Sequence, residues 1–239
     1  MIEVAIIFGV VMLLNVYFTH WRFKGVLLLY VPKAFESVEN SALYQLIDQY
    51  SLATLVTQDQ DGLCANHIPL LLDVSDPNQA VLRGHVAKGN PVWKQHHLTS
   101  DALVIFQGQQ GYISPSFYPT KKETGKVVPT FNYEVVHAYG PVQFFHEPER
   151  LLEIVNQLTI KHEKNQSTPW QVSDAPSDYI DKMLNAIVGI EIPVRRLIGK
   201  SKMSQNQSEE NMTGVVDGLR AFGSEAANAM ADVIDKRRQ

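Results

Sequence analysis

A succession of short β-type segments separated by turn signals constrains the fold of this chain more than any other feature. Each segment is rich in apolar or β-branched residues and is bounded by glycine, proline, aspartate or asparagine, which is typical of antiparallel strands joined by tight turns. The segments are 51–57, 63–72, 80–87, 102–107, two runs within 127–145, and 189–194. Strands of this kind with one or two short helices inserted between them predict an antiparallel barrel.

Helical periodicity occurs before these strands and in the C-terminal third of the chain. Apolar residues recur at helical spacing in 41–50, 149–164 and 177–188. Ser208 is the predicted N-cap of a helix that ends near residue 219. A tail helix is predicted after that helix. A short helix is predicted over 91–98, with Asn90 as its N-cap. The fold class is therefore α+β, with flanking helices and a helical C-terminal part.

The composition excludes several classes of protein. The chain of 239 residues is 45% hydrophobic and carries a formal net charge of -4, so it lacks the excess of lysine and arginine that general electrostatic binding of nucleic acid requires. The single cysteine, Cys64, excludes an intrachain disulfide and a cysteine-based zinc site. These features indicate a protein of a reducing compartment, and we expect a cytoplasmic location.

Residues 1–28 differ in composition from the rest. Residues 4–18 carry no charge, but this apolar run is shorter than the about 20 residues that a membrane-spanning helix needs. Two interpretations stay open: a weak membrane anchor, or sequence upstream of a true start at Leu29. No membrane partner is expected unless this leader is translated. We therefore divide the chain into a leader (1–28), a main domain (29–220) and a C-terminal tail helix (221–239).

The segment after the strand 80–87 is the first candidate for a binding site. Lys88 and Asn90 lie at a strand-to-helix junction, where free backbone N–H groups and a lysine can hold a phosphate or another anion. The alternative is a capped helix that follows a surface turn and carries one solvated lysine.

Other polar side chains interrupt apolar segments. A buried polar group without a partner costs about 1–3 kcal/mol, so such groups must bind each other, water or a ligand. A metal triad is an alternative for the three histidines, but their spacings match no metal motif, and no metal is expected. No nucleophile elbow or P-loop is present, and we assign no catalytic residue. The polar side chains are Asn66, His67, His85, Ser114, Thr130, Asn132 and His137.

A basic cluster follows the last predicted strand, over residues 195–206. It includes Lys200 and Lys202. It is either a phosphate-binding segment or a solvated surface loop.

Seven separated motifs then occur in order: YVPKAF at 30–35, ANHIPL at 65–70, GHVAKGNPVW at 84–93, YISPSFY at 112–118, VPTFNY at 128–133, HAYG at 137–140 and GKSKMSQN at 199–206. Together they resemble the PaiB-type FMN-binding negative transcriptional regulators over about residues 29–220. The resemblance implies a split β-barrel, like that of pyridoxamine-phosphate oxidases and flavin reductases, working as a homodimer with FMN at the subunit interface. In those relatives a Ser-Arg-Lys run holds the FMN phosphate, whereas the corresponding position here is Ala87-Lys88.

The function implied by this resemblance is FMN-dependent negative regulation of transcription, through DNA or a transcription-related partner. The alternative is a flavin-dependent oxidoreductase on the same fold, in which the flavin supplies the redox chemistry and His67 and His85 could serve as acid and base. Contacts to FMN are expected from the polar residues of the motifs: Asn66, His67, His85, Lys88, Asn90, Ser114, Thr130, Asn132, Lys200 and Lys202.

Overall fold

The computed structural model describes residues 29–37, 39–95 and 100–238. The leader predicted at 1–28 and the end of the helix predicted at 91–98 lie outside the described residues. Val31–Gln239 form one compact unit. Within the described ranges, no helix has the length and apolar character needed to cross a membrane.

The strands of the described residues form one sheet, in which each neighbouring pair is antiparallel. They are β1 (Glu36–Ser37), β2 (Leu52–Asp59), β3 (Gly62–Asp76), β4 (Gln79–Ala87), β5 (Ala102–Ile113), β6 (Thr130–Gly140), β7 (Gln143–Phe145), β8 (Ile187–Pro193) and β9 (Arg196–Lys202). Their order across the sheet is β1-β9-β6-β5-β2-β3-β4-β8-β7. The predicted antiparallel split barrel with flanking helices is thereby confirmed.

Strand β3 connects the two halves of the barrel. Its first half pairs with β2 and its second half pairs with β4. The hairpin between β2 and β3 turns at Gly62, whose φ of 123° lies in the region that favours glycine. Where β4 packs beside β3, a Cβ on Gly84 would lie 2.7 Å from the Pro69 carbonyl oxygen. Glycine therefore allows β4 to approach β3 closely.

Seven helices are present in the described residues, and most of them follow the predicted periodicity. They are α1 (Asn40–Gln49), α2 (Val92–Gln95), α3 (Lys121–Thr124), α4 (Pro148–Glu163), α5 (Ser177–Leu184), α6 (Glu209–Phe222) and α7 (Glu225–Lys236). Ser208 is the N-cap of α6, as predicted, and its hydroxyl oxygen accepts a hydrogen bond from the Asn211 N–H. Gly223, with a φ of 76°, ends this helix and separates it from α7.

One prediction of local structure is wrong, and a strand was missed in the basic cluster, for which a surface loop was one of two alternatives. The helix predicted over 177–188 ends at Leu184, and Asn185 is its C-cap, with its Nδ2 donating to the Asp181 carbonyl at 2.9 Å. Ile187 then starts β8. The basic segment interpreted as a possible surface loop contains β9, which pairs with β6 from Arg196 to Lys202.

Three apolar clusters hold these elements together. The first fills the barrel interior and includes Leu55, Leu70 and Phe106, with α1 contributing Leu43 and Ile47. The second joins α6 and α7 to the end of β5. The third packs α4 and α5 against the barrel. Burial of apolar side chains is the main favourable contribution to folding, so each cluster fixes the position of the strands beside it.

The barrel consequently has two different outer faces. The outer side of β4, β8 and β7 is packed by α4, α5 and the third cluster, and we call it the covered face. The outer side of β2, β5, β6 and β9 we call the open face. Pairing registers place His67, Thr54, Ile105 and His137 side by side in one row of it. Large apolar side chains on it remain exposed, including Leu52 at 65% and Phe131 at 55%.

Candidate functional site

The segment that follows β4 is held by the end of α5. The Lys88 N–H donates to the Ala186 carbonyl at 2.8 Å, and the Lys88 Nζ donates to the Asn185 carbonyl at 3.3 Å. Carbonyl groups at the C-terminal end of a helix carry partial negative charge and attract a cation. Lys88 is exposed, so its ammonium group is positioned at the protein surface and remains accessible to an anionic ligand.

Asn90 joins this segment to the neighbouring strand. Its Oδ1 accepts a hydrogen bond from the Val92 N–H at 3.0 Å, which confirms the predicted N-cap of α2. Its Nδ2 donates to Asn66 Oδ1 at 2.7 Å. The structure therefore brings together Asn66, Lys88 and Asn90, which we call the Lys88 group.

The surroundings of the Lys88 group fit a ligand that carries a phosphate and a planar ring. A Cβ placed on Gly89 would meet no heavy atom within 4 Å, so a ligand can approach the backbone there. The Trp93 ring stands beside the segment, and its Nε1 donates to the Lys88 carbonyl at 3.0 Å. A lysine ammonium is a common partner for a phosphate, and an aromatic ring can stack on a planar ligand when it lines the site.

The predicted histidines lie in different places. His67 is exposed on the open face, where the Thr54 hydroxyl lies 3.1 Å from its Nδ1. His85 lies on the covered face, where its cross-strand partner is Gly189. The Phe145 ring occupies the space that a side chain at position 189 would need. The Nδ1 atom of His85 is buried without a hydrogen-bond partner, and burial lowers the pKa of this histidine.

These positions do not support a metal triad. His85 is on one outer face, whereas His67 and His137 are on the other and are separated by β2 and β5. In the part of the chain that the structure describes, no three histidine, cysteine, aspartate or glutamate side chains lie close enough to hold a metal ion.

A second polar group lies around the start of β6. Asn132 is fully buried and donates from Nδ2 to the Ser204 hydroxyl oxygen at 2.9 Å. The Lys202 ammonium contacts the Thr130 hydroxyl, and Thr130 pairs with Ile113, the residue before Ser114. We call the set Ser114, Thr130, Asn132, Lys200 and Lys202 the Asn132 group. Lys200 is buried, with its Nζ 5.2 Å from the centroid of the Tyr133 ring.

Sequence reasoning did not assign Ser204 to the site, and it missed two of the aromatic side chains near Ser114, Phe117 and Phe222. Ser204 has a φ of 66°, which is uncommon for a residue other than glycine, and it supplies the buried partner of Asn132. A cavity of about 430 Å³ next to Ser114 is lined by Tyr112, Phe117 and Phe222. The signal for Ser204 was its place within the basic cluster 195–206, whereas no sequence signal linked Phe222, on α6, to Ser114.

The two polar groups are far apart within one chain. Strand pairing places Asn66 in the row of Val104 on β5, and it places Asn132 in the row of Gly111 on the same strand. At about 3.3 Å per residue, these rows are roughly 20 Å apart. The residues predicted from sequence therefore form two separate groups in the single chain, with His67 on the open face and His85 on the covered face.

Comparisons with known proteins agree with this fold. Residues 29–196 match the model of the family described as "Putative FMN-binding domain". The protease synthase and sporulation protein PAI 2 of Bacillus subtilis is 31% identical over 209 residues, covering 87% of this chain and 98% of that protein. An uncharacterized protein of Emericella nidulans is 33% identical over 244 residues, covering 87% and 97% respectively.

Two solved structures share the fold at low sequence identity. The flavocytochrome Anf3 from Azotobacter vinelandii superposes with a TM-score of 0.54 at 11% identity, covering 82% of this chain and 79% of that chain. The FAD and heme binding protein from Mycobacterium smegmatis superposes with a TM-score of 0.51 at 16% identity, covering 70% and 73%.

Proposed function

This chain belongs to the FMN-binding domain family whose model it matches, and from that premise we propose that it is a PaiB-type, homodimeric FMN-binding protein that represses transcription. One observation carries the cofactor assignment. The exposed Lys88 ammonium lies in a segment that Asn90 ties to Asn66 on the adjacent strand. This arrangement offers a cation and amide groups at one accessible place.

Each residue of the Lys88 group has a role in this proposal. Lys88 binds the FMN phosphate, because a hydrogen bond between a charged donor and a charged acceptor is stronger than a neutral one. Asn90 holds the backbone of the segment in place through its contact with Val92. Asn66 stays tied to Asn90 and orients it. When bound, FMN supplies a redox-active ring, and this chain supplies its position and its exclusion from water.

A homodimer would complete the site. The Lys88 group and the Asn132 group lie roughly 20 Å apart in one chain, beside the two ends of β5, which is one of the strands of the open face. A twofold axis through that face brings the Lys88 group of one protomer toward the Asn132 group of its partner, since both copies use the same surface in such an interface. Covering Leu52 and Phe131 would also remove two exposed apolar side chains from water.

The regulatory role is supported by the resemblance to PaiB-type regulators and by the 31% sequence identity to the sporulation protein of Bacillus subtilis. The net charge of -4 does not favour broad electrostatic contact with DNA. Contact with DNA would therefore be local, or repression would act through a protein partner.

Titration with FMN tests the cofactor assignment. We expect flavin fluorescence to be quenched on binding, and we expect Lys88→Ala to weaken binding by about 1.5–3 kcal/mol, roughly 10- to 150-fold in Kd. Lys94→Ala is the matched control, because Lys94 is also exposed near Trp93 but lies over its ring. Equal affinities of the two variants would show that the phosphate binds elsewhere.

A flavin-dependent oxidoreductase is the second candidate function. The exposed His67 on the open face, hydrogen-bonded to Thr54, is placed where it could exchange a proton with a bound flavin or substrate. Consumption of NADH or NADPH by the FMN-loaded protein would support this function, and His67→Gln should then lower the rate. A protein that binds FMN but shows no turnover with any donor would support the regulator.

A further inference from the structure

A cavity of about 860 Å³ lies between α4, the short turn Val172–Asp174 and α5. None of the residues assigned to FMN lines it. Its volume falls within the range of pockets that bind small organic molecules. The function proposed above gives no role to this cavity.

The walls of the cavity are largely apolar. Leu152 and Ile160 of α4, Ile180 of α5 and Trp170 line it. Trp170 is 45% exposed and Ile160 is 67% exposed. The Trp170 N–H donates to Glu163 Oε2 at 3.0 Å, which ties this side of the cavity to the end of α4. Contiguous exposed apolar surface of this kind is typical of ligand-binding grooves.

The charged groups that line the cavity are mainly acidic. Glu163 on α4 and Asp181 on α5 contribute carboxylates, and Lys164 contributes the cation of the lining. Trp170 adds the face of an indole ring, which attracts a cation through its quadrupole. The lining therefore combines apolar contact area with a preference for positive charge.

We infer that this cavity binds a small aromatic amine. The ring of the ligand packs between Trp170 and Ile180, and its ammonium group faces the carboxylates of Asp181 and Glu163. An anionic molecule with the same ring would meet those carboxylates and bind poorly. This inference does not depend on the proposed binding of FMN, because the two sites share no residue.

Isothermal titration calorimetry of the full chain with two indole compounds tests the inference. Tryptamine and indole-3-propionate carry the same ring, but the first ends in an ammonium and the second in a carboxylate. We expect tryptamine to bind with a Kd between about 10 µM and 1 mM, and at least ten times more tightly than indole-3-propionate. Equal affinities, or no heat of binding with tryptamine, would overturn the proposal.

Two substitutions on the same helix locate the bound compound. Asp181→Asn removes a charge from the lining, whereas Asp178→Asn removes an equal charge that lies outside the lining and pairs with Lys182. We expect Asp181→Asn to weaken tryptamine binding at least 5-fold and Asp178→Asn to change it by less than 2-fold. Equal weakening by both variants would indicate attraction to the surface charge of the helix and would overturn the assignment to the cavity.

Discussion

The two outer faces of the barrel are made by the same sheet but are used differently. On the covered face, α4 and α5 bury Leu151, Ile154 and Leu184 in an apolar cluster with Phe145. On the open face, side chains of similar size such as Leu52 are exposed. Burial of apolar area stabilises the folded chain only where the area leaves water. The covered face therefore contributes to the stability of the single chain, and the open face is available for a partner or a ligand.

The largest expected effect is on the free energy of unfolding, and it is measured with two Leu→Ala substitutions, one on each face of the barrel. Leu151→Ala removes a buried side chain of α4 and should lower the free energy of unfolding by about 2–5 kcal/mol. Leu52→Ala removes an exposed one and should change it by no more than about 0.5 kcal/mol in the monomer. Urea denaturation at low protein concentration measures both values. Equal losses would show that Leu52 is also buried in the single chain.

A charge placed on the open face should act on association instead. Phe131→Asp puts a carboxylate among the apolar residues that we assign to the subunit interface, and it should weaken the dimer by at least about 2 kcal/mol, roughly 30-fold in Kd. Sedimentation equilibrium measures this constant. Tyr179→Asp is the control, because Tyr179 is comparably exposed but lies on α5. A dimer that tolerates the first change and not the second would place the interface on the helices.

The smallest expected effect concerns one histidine on each face. Burial lowers the pKa of His85 and of His137 below the usual 6.5. As the pH falls below that value, the unfolded chain takes up protons at these positions before the folded chain does, so the free energy of unfolding decreases. Replacing either residue with glutamine should therefore reduce the loss of stability between about pH 7 and pH 5.

The effects of the two histidine substitutions on stability should depend differently on protein concentration. The effect of His85→Gln should be the same at all concentrations, because α4 and α5 already cover its face in the single chain. The effect of His137→Gln should increase with concentration if the open face forms the dimer, because association would bury His137 further. Urea midpoints at two pH values and two concentrations measure both slopes, and an equal dependence on concentration would contradict the difference between the faces.

Much of the fold could be predicted from local sequence. The turn between the segments 51–57 and 63–72 and the N-caps Asn90 and Ser208 could be predicted, because a turn or a cap depends on a few neighbouring residues. Strand β9 was missed because Lys200 and Lys202 gave it the composition of a solvated loop. The end of α5 was also missed, because the apolar spacing continues from Leu184 into the next strand. That spacing alone does not indicate where the helix ends.

The arrangement of the candidate site was less predictable. Asn66 and Asn90 were both named from sequence, but their hydrogen bond joins residues 24 positions apart and depends on strand pairing. The same is true of the distance between the Lys88 group and the Asn132 group, which follows from the register of β2, β5 and β6. The turn at Gly62 sets the register of β2 against β3, but no short turn sets the register of β2 against β5, because these strands are far apart along the chain.

Helix α5 touches both proposed ligand sites. Its first five residues include Ser177, Ile180 and Asp181, which line the cavity. The carbonyl of Asn185, the C-cap residue of the helix, accepts the hydrogen bond from Lys88. An amine that shifts this helix on binding would change the position of Lys88 and hence the affinity for FMN. Thermodynamic reciprocity then requires FMN to change the affinity for the amine by the same factor. In that case an eight-residue helix would make the protein sensitive to two chemical signals at once.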